Sequence, residues 1–290
     1  MKKNLIHSII IFFIFMIVIL NLNGDKVQES IIYFPIDPNV SFQTANTSLN
    51  LVEQPQKDQY IVRWKIASTL ERKAYLRQDI GLLFSNGKLV DGLGKWIENS
   101  RTINQEKKIP SQESAIFQAI TFHHAELHEQ ENKIYSAQTM SADKLYVIQT
   151  PFTPLISFKK PESSLEKEWE ERLNQKTSQF LQSSWEKGIK AYSINLGKYR
   201  IYPLTEFYFK SNIVPGFSKE ESGKLIGTLW EGLYKNYFLG IKKADGTIEN
   251  AIGSTIPLIL ISKDKSHIIV LTETTKGEPI ILQQKIEHSY

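Results

Sequence analysis

The chain of 290 residues contains no cysteine. That absence excludes disulfides, thiolate metal centres and lipid attachment through a thiol. Nucleotide-binding loops are missing as well: Gly92-Leu93-Gly94 lacks the third glycine of a dinucleotide loop, and there is no Walker sequence. A Gly-x-Ser-x-Gly nucleophile elbow and a Lys-Thr-Gly triplet are also absent, while Ser-x-x-Lys recurs from Ser85 to Ser262 too often in a serine- and lysine-rich chain to mark a site. No run of one charge sign stands out. The net charge is +4, with lysine and arginine scattered among acids, so the basic, aromatic-interleaved stripe of a nucleic-acid binder is lacking. No fixed-period repeat and no low-complexity tract occur. With 41% hydrophobic and 23% charged residues, the composition is that of a folded chain.

One long apolar run is present, at the N-terminus. Lys2 and Lys3 precede Leu5 to Leu22, with an unbroken centre from Ile9 to Leu20 that includes Phe12 and Phe15. About 18 helical residues reach roughly 27 Å, close to the hydrocarbon thickness of a bilayer. The alternative is a cleaved signal peptide, but Leu22-Asn23-Gly24 offers a peptidase only one small residue and a bulky leucine two positions before it. The run therefore reads as an uncleaved single-pass anchor in the cell membrane, with the lipid bilayer as its partner. The lysines hold the N-terminus in the cytoplasm and the remainder is extracytoplasmic, as suits a bacterial envelope protein.

After an anchor over residues 1–24, residues 25–57 are rich in proline and polar residues and read as a stalk with little regular structure. Residues 58–150 read as a mainly β domain. Tyr60, Val62, Trp64 and Ile66 alternate with polar neighbours, and Ser85-Asn86-Gly87 marks a hairpin tip because Asn-Gly tolerates the positive φ of a type I′ turn. Residues 99–112 are polar enough to read as a loop. Residues 114–128 and 133–149 read as strands, although the first also carries a helical stripe.

Residues 151–162, with Pro151, Pro154 and Pro161, read as a linker. Residues 163–290 then form an α+β domain. Ser163 with Glu166, and Ser218 with Glu221, are capping boxes that open two helices. Gly188 and Gly240 are the expected stops. Gly223 and Gly227 permit close backbone approach. Residues 192–209 read as a hairpin, and three strands close the chain, so the expected class is α+β: an N-terminal transmembrane helix, a mainly antiparallel β region, and an antiparallel sheet packed with two helices.

The densest chemistry is His123-His124-Ala125-Glu126-Leu127-His128. Imidazole and carboxylate suit zinc or a similar divalent metal, which makes His124, Glu126 and His128 candidate ligands for a metal-dependent hydrolase. On a strand the outer pair lie roughly 13 Å apart, so only neighbours could share an ion. On a helix the glutamate falls two residues after the first histidine, about 200° away, which excludes the zincin arrangement. The bland reading is a surface or structural strand. Trp64, Trp169 and Trp185 sit in apolar stripes and read as core, leaving Trp96 and Trp230 as candidate ligand-binding surface residues. With no catalytic signature, the leading expectation is a non-enzymatic, cofactor-free binding or accessory module with an envelope protein as partner. A lipid- or glycan-binding module is a further alternative.

Overall fold

The computed structural model describes residues 34–286, apart from 57, 131–132, 152, 210–212 and 244–245. The expected anchor, with Ile9, Phe12, Phe15 and Leu20, lies outside the described residues. Among the described residues no helix is long and apolar enough to cross a membrane.

The chain is α+β. Strands β1 (Phe42–Gln56), β2 (Gln59–Ser85), β3 (Lys88–Leu93), β4 (Ile97–Ser111), β5 (Ala115–His128), β6 (Ile134–Thr150) and β7 (Thr153–Phe158) form a seven-stranded antiparallel sheet. After them come α1 (Ser164–Ala191), β8 (Tyr199–Pro203), α2 (Lys219–Tyr237), the short pair β9 (Ile241–Lys242) and β10 (Ile248–Glu249), and β11 (Leu258–Ser262), β12 (His267–Glu273) and β13 (Pro279–Lys285). The last three pair with β8 in the order β13-β12-β11-β8, again antiparallel.

Strand β2 organises the β region because it is long enough, at 27 residues, to serve two layers. Its first part lies between β1 and β4, and its second between β3 and β5, with register breaks after Thr69 and Arg77. The two parts face each other. A Cβ on Gly81 would fall 2.4 Å from Ile66 and 2.6 Å from Trp64, so a side chain there would block the close approach that brings the first part onto the second. Leu49, Tyr60, Val62, Trp64, Phe117 and Val147 fill the space between the layers. The turn after β2 has Asn86 at φ 48° and Gly87 at φ 86°, the two positive angles expected of the Asn-Gly tip.

Period two sends alternate side chains of β5 to opposite faces. Ile120 and Phe122 leave the sandwich and join Leu225, Leu229, Trp230 and Leu233 of α2, together with Ile259 and Ile268 of the four-stranded sheet, in one cluster. Both capping boxes form: Ser163 and Ser218 each accept from the backbone of Glu166 and Glu221, whose side chains reach back. Gly223 supplies the close approach its spacing predicts, since a Cβ there would meet Ile36 at 2.2 Å. Ile36 is set there by the backbone exchange of Asp37 and Pro35 with Ser136 of β6.

Several expectations give way. The stretch read as a stalk carries β1, because its polar residues alternate with Thr47, Leu49 and Leu51 at a sheet partner. Residues 99–112 lie largely in β4 rather than a loop: this strand pairs with β2 alone and buries only Ile103 and Ile109, so polar residues are tolerated elsewhere on it. Residues 151–162 include β7, an edge strand on β6. Helix α1 continues past Gly188, which is buried because a Cβ would strike Leu271 at 2.7 Å. Instead of a hairpin over 192–209, a 3₁₀ turn leads into β8, which pairs with β11.

Candidate functional site

The helical stripe in 114–128 is not used: the segment is β5, so His124, Glu126 and His128 share one face with Phe122. Burial falls along that row. Phe122 stacks on Trp230 at 5.2 Å, and His124 beside it is 2% exposed. Burial foremost, and the Arg77 guanidinium next, push the His124 imidazole down to about 3, so it is neutral near pH 7. Glu126, 4% exposed, is met at 2.7 Å by Nη1 of Arg77, the β2 residue paired with His124. At the strand end His128 is exposed, with Nε2 at 3.4 Å from Glu126 Oε2.

Cross-strand pairing adds residues that the linear sequence keeps apart. Tyr75 stands opposite Glu126 on β2. Its ring meets His128 edge-on at 6.4 Å and Trp96 edge-on at 5.8 Å. Partial burial first, and then the Glu98 carboxylate, raise the Tyr75 phenol above its ordinary value. Trp96 is 65% exposed, more than any other aromatic ring among the described residues, and Ile97 beside it is exposed too. The result is a shelf: Trp96, Tyr75 and His128 present ring surface, and the Arg77–Glu126 pair lies at its inner edge.

Thus the structure brings Trp96 together with Glu126 and His128, but separates out Trp230. Trp230 is fully buried, stacked on Phe122, with Nε1 donating to Met140 Sδ at 3.4 Å; its place on the apolar face of α2 overrides a surface role. The three candidate metal ligands are not gathered. Glu126 turns to Arg77, and among the described residues no group of three or more histidine, aspartate or glutamate side chains is arranged to hold a metal ion. Tyr75 and Arg77 were not singled out in the sequence, although their alternation along β2 is visible there.

The opposite face of β5 carries a second polar group. His123, fully buried, has Nδ1 at 2.7 Å from Ser68 Oγ and Nε2 at 2.7 Å from Ser141 Oγ. Thr47 Oγ1 lies 2.7 Å from Ser141 Oγ and donates to Thr121 Oγ1 at 2.6 Å. This network joins β1, β2, β5 and β6 inside the sandwich. A histidine between serines has the elements of a nucleophile and its base, yet all five residues are sealed in the core, where a substrate does not reach. Its chemistry is cohesion. Neither a protein-family model nor a curated protein matches this chain.

Proposed function

We propose that this chain is a single-pass membrane protein whose extracytoplasmic part is a non-enzymatic binding module, holding an envelope protein partner at the Trp96–Tyr75–His128 shelf. The observation that carries the reading is the exposure of Trp96 beside Tyr75, His128 and Arg77. Tryptophan, tyrosine and arginine dominate the energetics of protein interfaces, because each buries a large area or donates several hydrogen bonds at small entropic cost. The apolar N-terminal run, with Ile9, Phe12, Phe15 and Leu20, is the proposed membrane tether that keeps the module at the membrane surface. A solvent-exposed indole costs the isolated protein little to retain and becomes costly to remove once a partner covers it.

Two measurements test the proposal. External protease added to intact spheroplasts is expected to destroy a C-terminal epitope; protection of the epitope overturns the topology. Partners recovered by cross-linking and detergent extraction are expected to fall about thirtyfold with Trp96→Ala, the equivalent of an interface anchor worth roughly 2 kcal/mol. Equal recovery by the wild type and the variant rejects the shelf.

A further inference from the structure

A second concavity lies away from the shelf, in the seam where α1 crosses β5 and β6. It is an open cleft of about 820 Å³, within the span of roughly 300–1,000 Å³ typical of small-molecule sites. Its lining differs from the shelf in kind. Gln118 of β5, Asn174, Thr177 and Gln182 of α1, and Thr205 after β8 supply carboxamides and hydroxyls, and the half-buried Trp185 supplies a ring.

Two of these amides are held in fixed orientation. Asn174 Oδ1 accepts from the Tyr146 hydroxyl at 2.9 Å, which leaves its amino group to donate. Gln118 Nε2 donates to Thr205 Oγ1 at 3.2 Å, which leaves its carbonyl oxygen to accept. Trp185 is fixed as well, with Nε1 donating to the Ile256 carbonyl at 2.9 Å. An independent observation points to a ligand: Thr177, which lines the cleft, is 6% exposed and its hydroxyl has no hydrogen-bond partner among the described residues. A buried hydroxyl without a partner costs stability, a cost that a ligand hydroxyl placed in the cleft removes.

Charge narrows the ligand class. Lys159 is neutralised by Asp143 at 2.5 Å, and Asp143 also accepts from the Leu49 amide. Lys144 lies 3.9 Å from Glu170. Lys160 and Glu206 complete the rim with opposite signs. With Glu170 beside Lys144, the three rim lysines are matched by three carboxylates, so the cleft lacks the uncompensated positive charge that gathers phosphates. It combines a donor amide, an acceptor amide, an unsatisfied hydroxyl and an aromatic ring, which is the complement of a ligand carrying many hydroxyls and apolar C–H faces. From this geometry we propose that the α1–β5–β6 cleft is a binding site for a short, uncharged oligosaccharide. The proposal stands apart from the membrane tether and from the protein-binding shelf.

The test uses the full chain in a detergent without sugar head groups, probed with an array of neutral, N-acetylated and uronic-acid oligosaccharides alongside a peptide library, and titrated calorimetrically on the probes that bind. A neutral or N-acetylated oligosaccharide is expected to bind, with Asn174→Ala and Gln118→Ala each weakening it about tenfold. Thr177→Val separates binding from folding. Exchanging an unsatisfied hydroxyl for a methyl is expected to leave the melting temperature unchanged or raise it while weakening the sugar several-fold. Binding of no oligosaccharide, preference for uronic acids or peptides, or affinity that Thr177→Val and Asn174→Ala leave unaltered would each overturn the proposal.

Discussion

At the scale of single residues, the His123–His128 segment shows how far composition reaches. Its density of titratable groups was visible; the sorting of those groups was not. Alternation sends His123 into the sandwich and His124 toward α2, and the same alternation sets Glu126 beside Arg77. Each role depends on what packs against the strand, and a partner distant in sequence, as Ser68 is from His123 and Arg77 from Glu126, leaves no local mark. His124 has a consequence that can be measured. In the unfolded chain its imidazole titrates at its ordinary value of 6.5, whereas in the folded protein it stays neutral until about pH 3. Between those values the unfolded state binds the extra proton, so stability falls as pH falls. At about 1.4 kcal/mol per pH unit, the loss from this residue by pH 5 is roughly 2 kcal/mol relative to its contribution above 6.5. Urea unfolding at pH 7.5 and pH 5 is expected to show a difference smaller by about that amount in His124→Gln; an identical difference in both proteins would remove His124 as the cause.

At the scale of elements, legibility follows how local the determinant is. Both capping boxes and the Asn86-Gly87 turn were legible because their hydrogen bonds and φ angles belong to consecutive residues. Strand β4 was not, because an edge strand that buries only Ile103 and Ile109 has the composition of a loop and takes its structure from β2. Gly188 misled for a related reason: its small size serves a contact with Leu271, and nothing in the neighbouring sequence distinguishes that from a helix stop. The Thr47–Thr121–Ser141–His123–Ser68 network was equally hidden, since its members come from four strands. Network geometry specifies how β1, β2, β5 and β6 meet, because sliding any one strand by a residue turns its member to the other face. Replacing His123 with Leu deletes two hydrogen bonds in a sealed core, and a loss of about 2–3 kcal/mol is expected by urea denaturation. Adding Ser68→Ala is expected to recover part of that loss, since removing both sides of a buried hydrogen bond costs less than removing one, while Ser141 keeps its bond to Thr47. No recovery would mean that the imidazole acts mainly by volume.

At the scale of the whole molecule, the sequence suggested two folded regions joined at residues 151–162, and the interior joins them more closely than a linker would. The described residues all fall in one compact unit, and one hydrophobic cluster contains Ile120 and Phe122 of β5, Leu229 and Trp230 of α2, and Ile259 of β11. Helix α1 links the layers in a second way. Its N-terminal half packs Leu173 against Tyr146 and Phe158, while its C-terminal half packs Trp185 and Ile189 on the four-stranded sheet. Hydrophobic periodicity reveals that a helix has an apolar face but not which sheet covers it, so the sharing of a core was beyond sequence reading. A shared core couples the stability of the parts. Trp230, fully buried between Phe122 and Met140, is the sharpest probe of that coupling, because a large ring cut to a methyl group costs about 3–5 kcal/mol in a core that does not collapse. If the β region and the helix-bearing region unfold as one unit, Trp230→Ala is expected to lower the denaturation midpoint equally for amide exchange in β1 and β2 and for amide exchange in β11 and β12. A midpoint that moves for β11 and β12 while β1 and β2 keep the wild-type value would show instead that the sandwich is stable without its α2 contact.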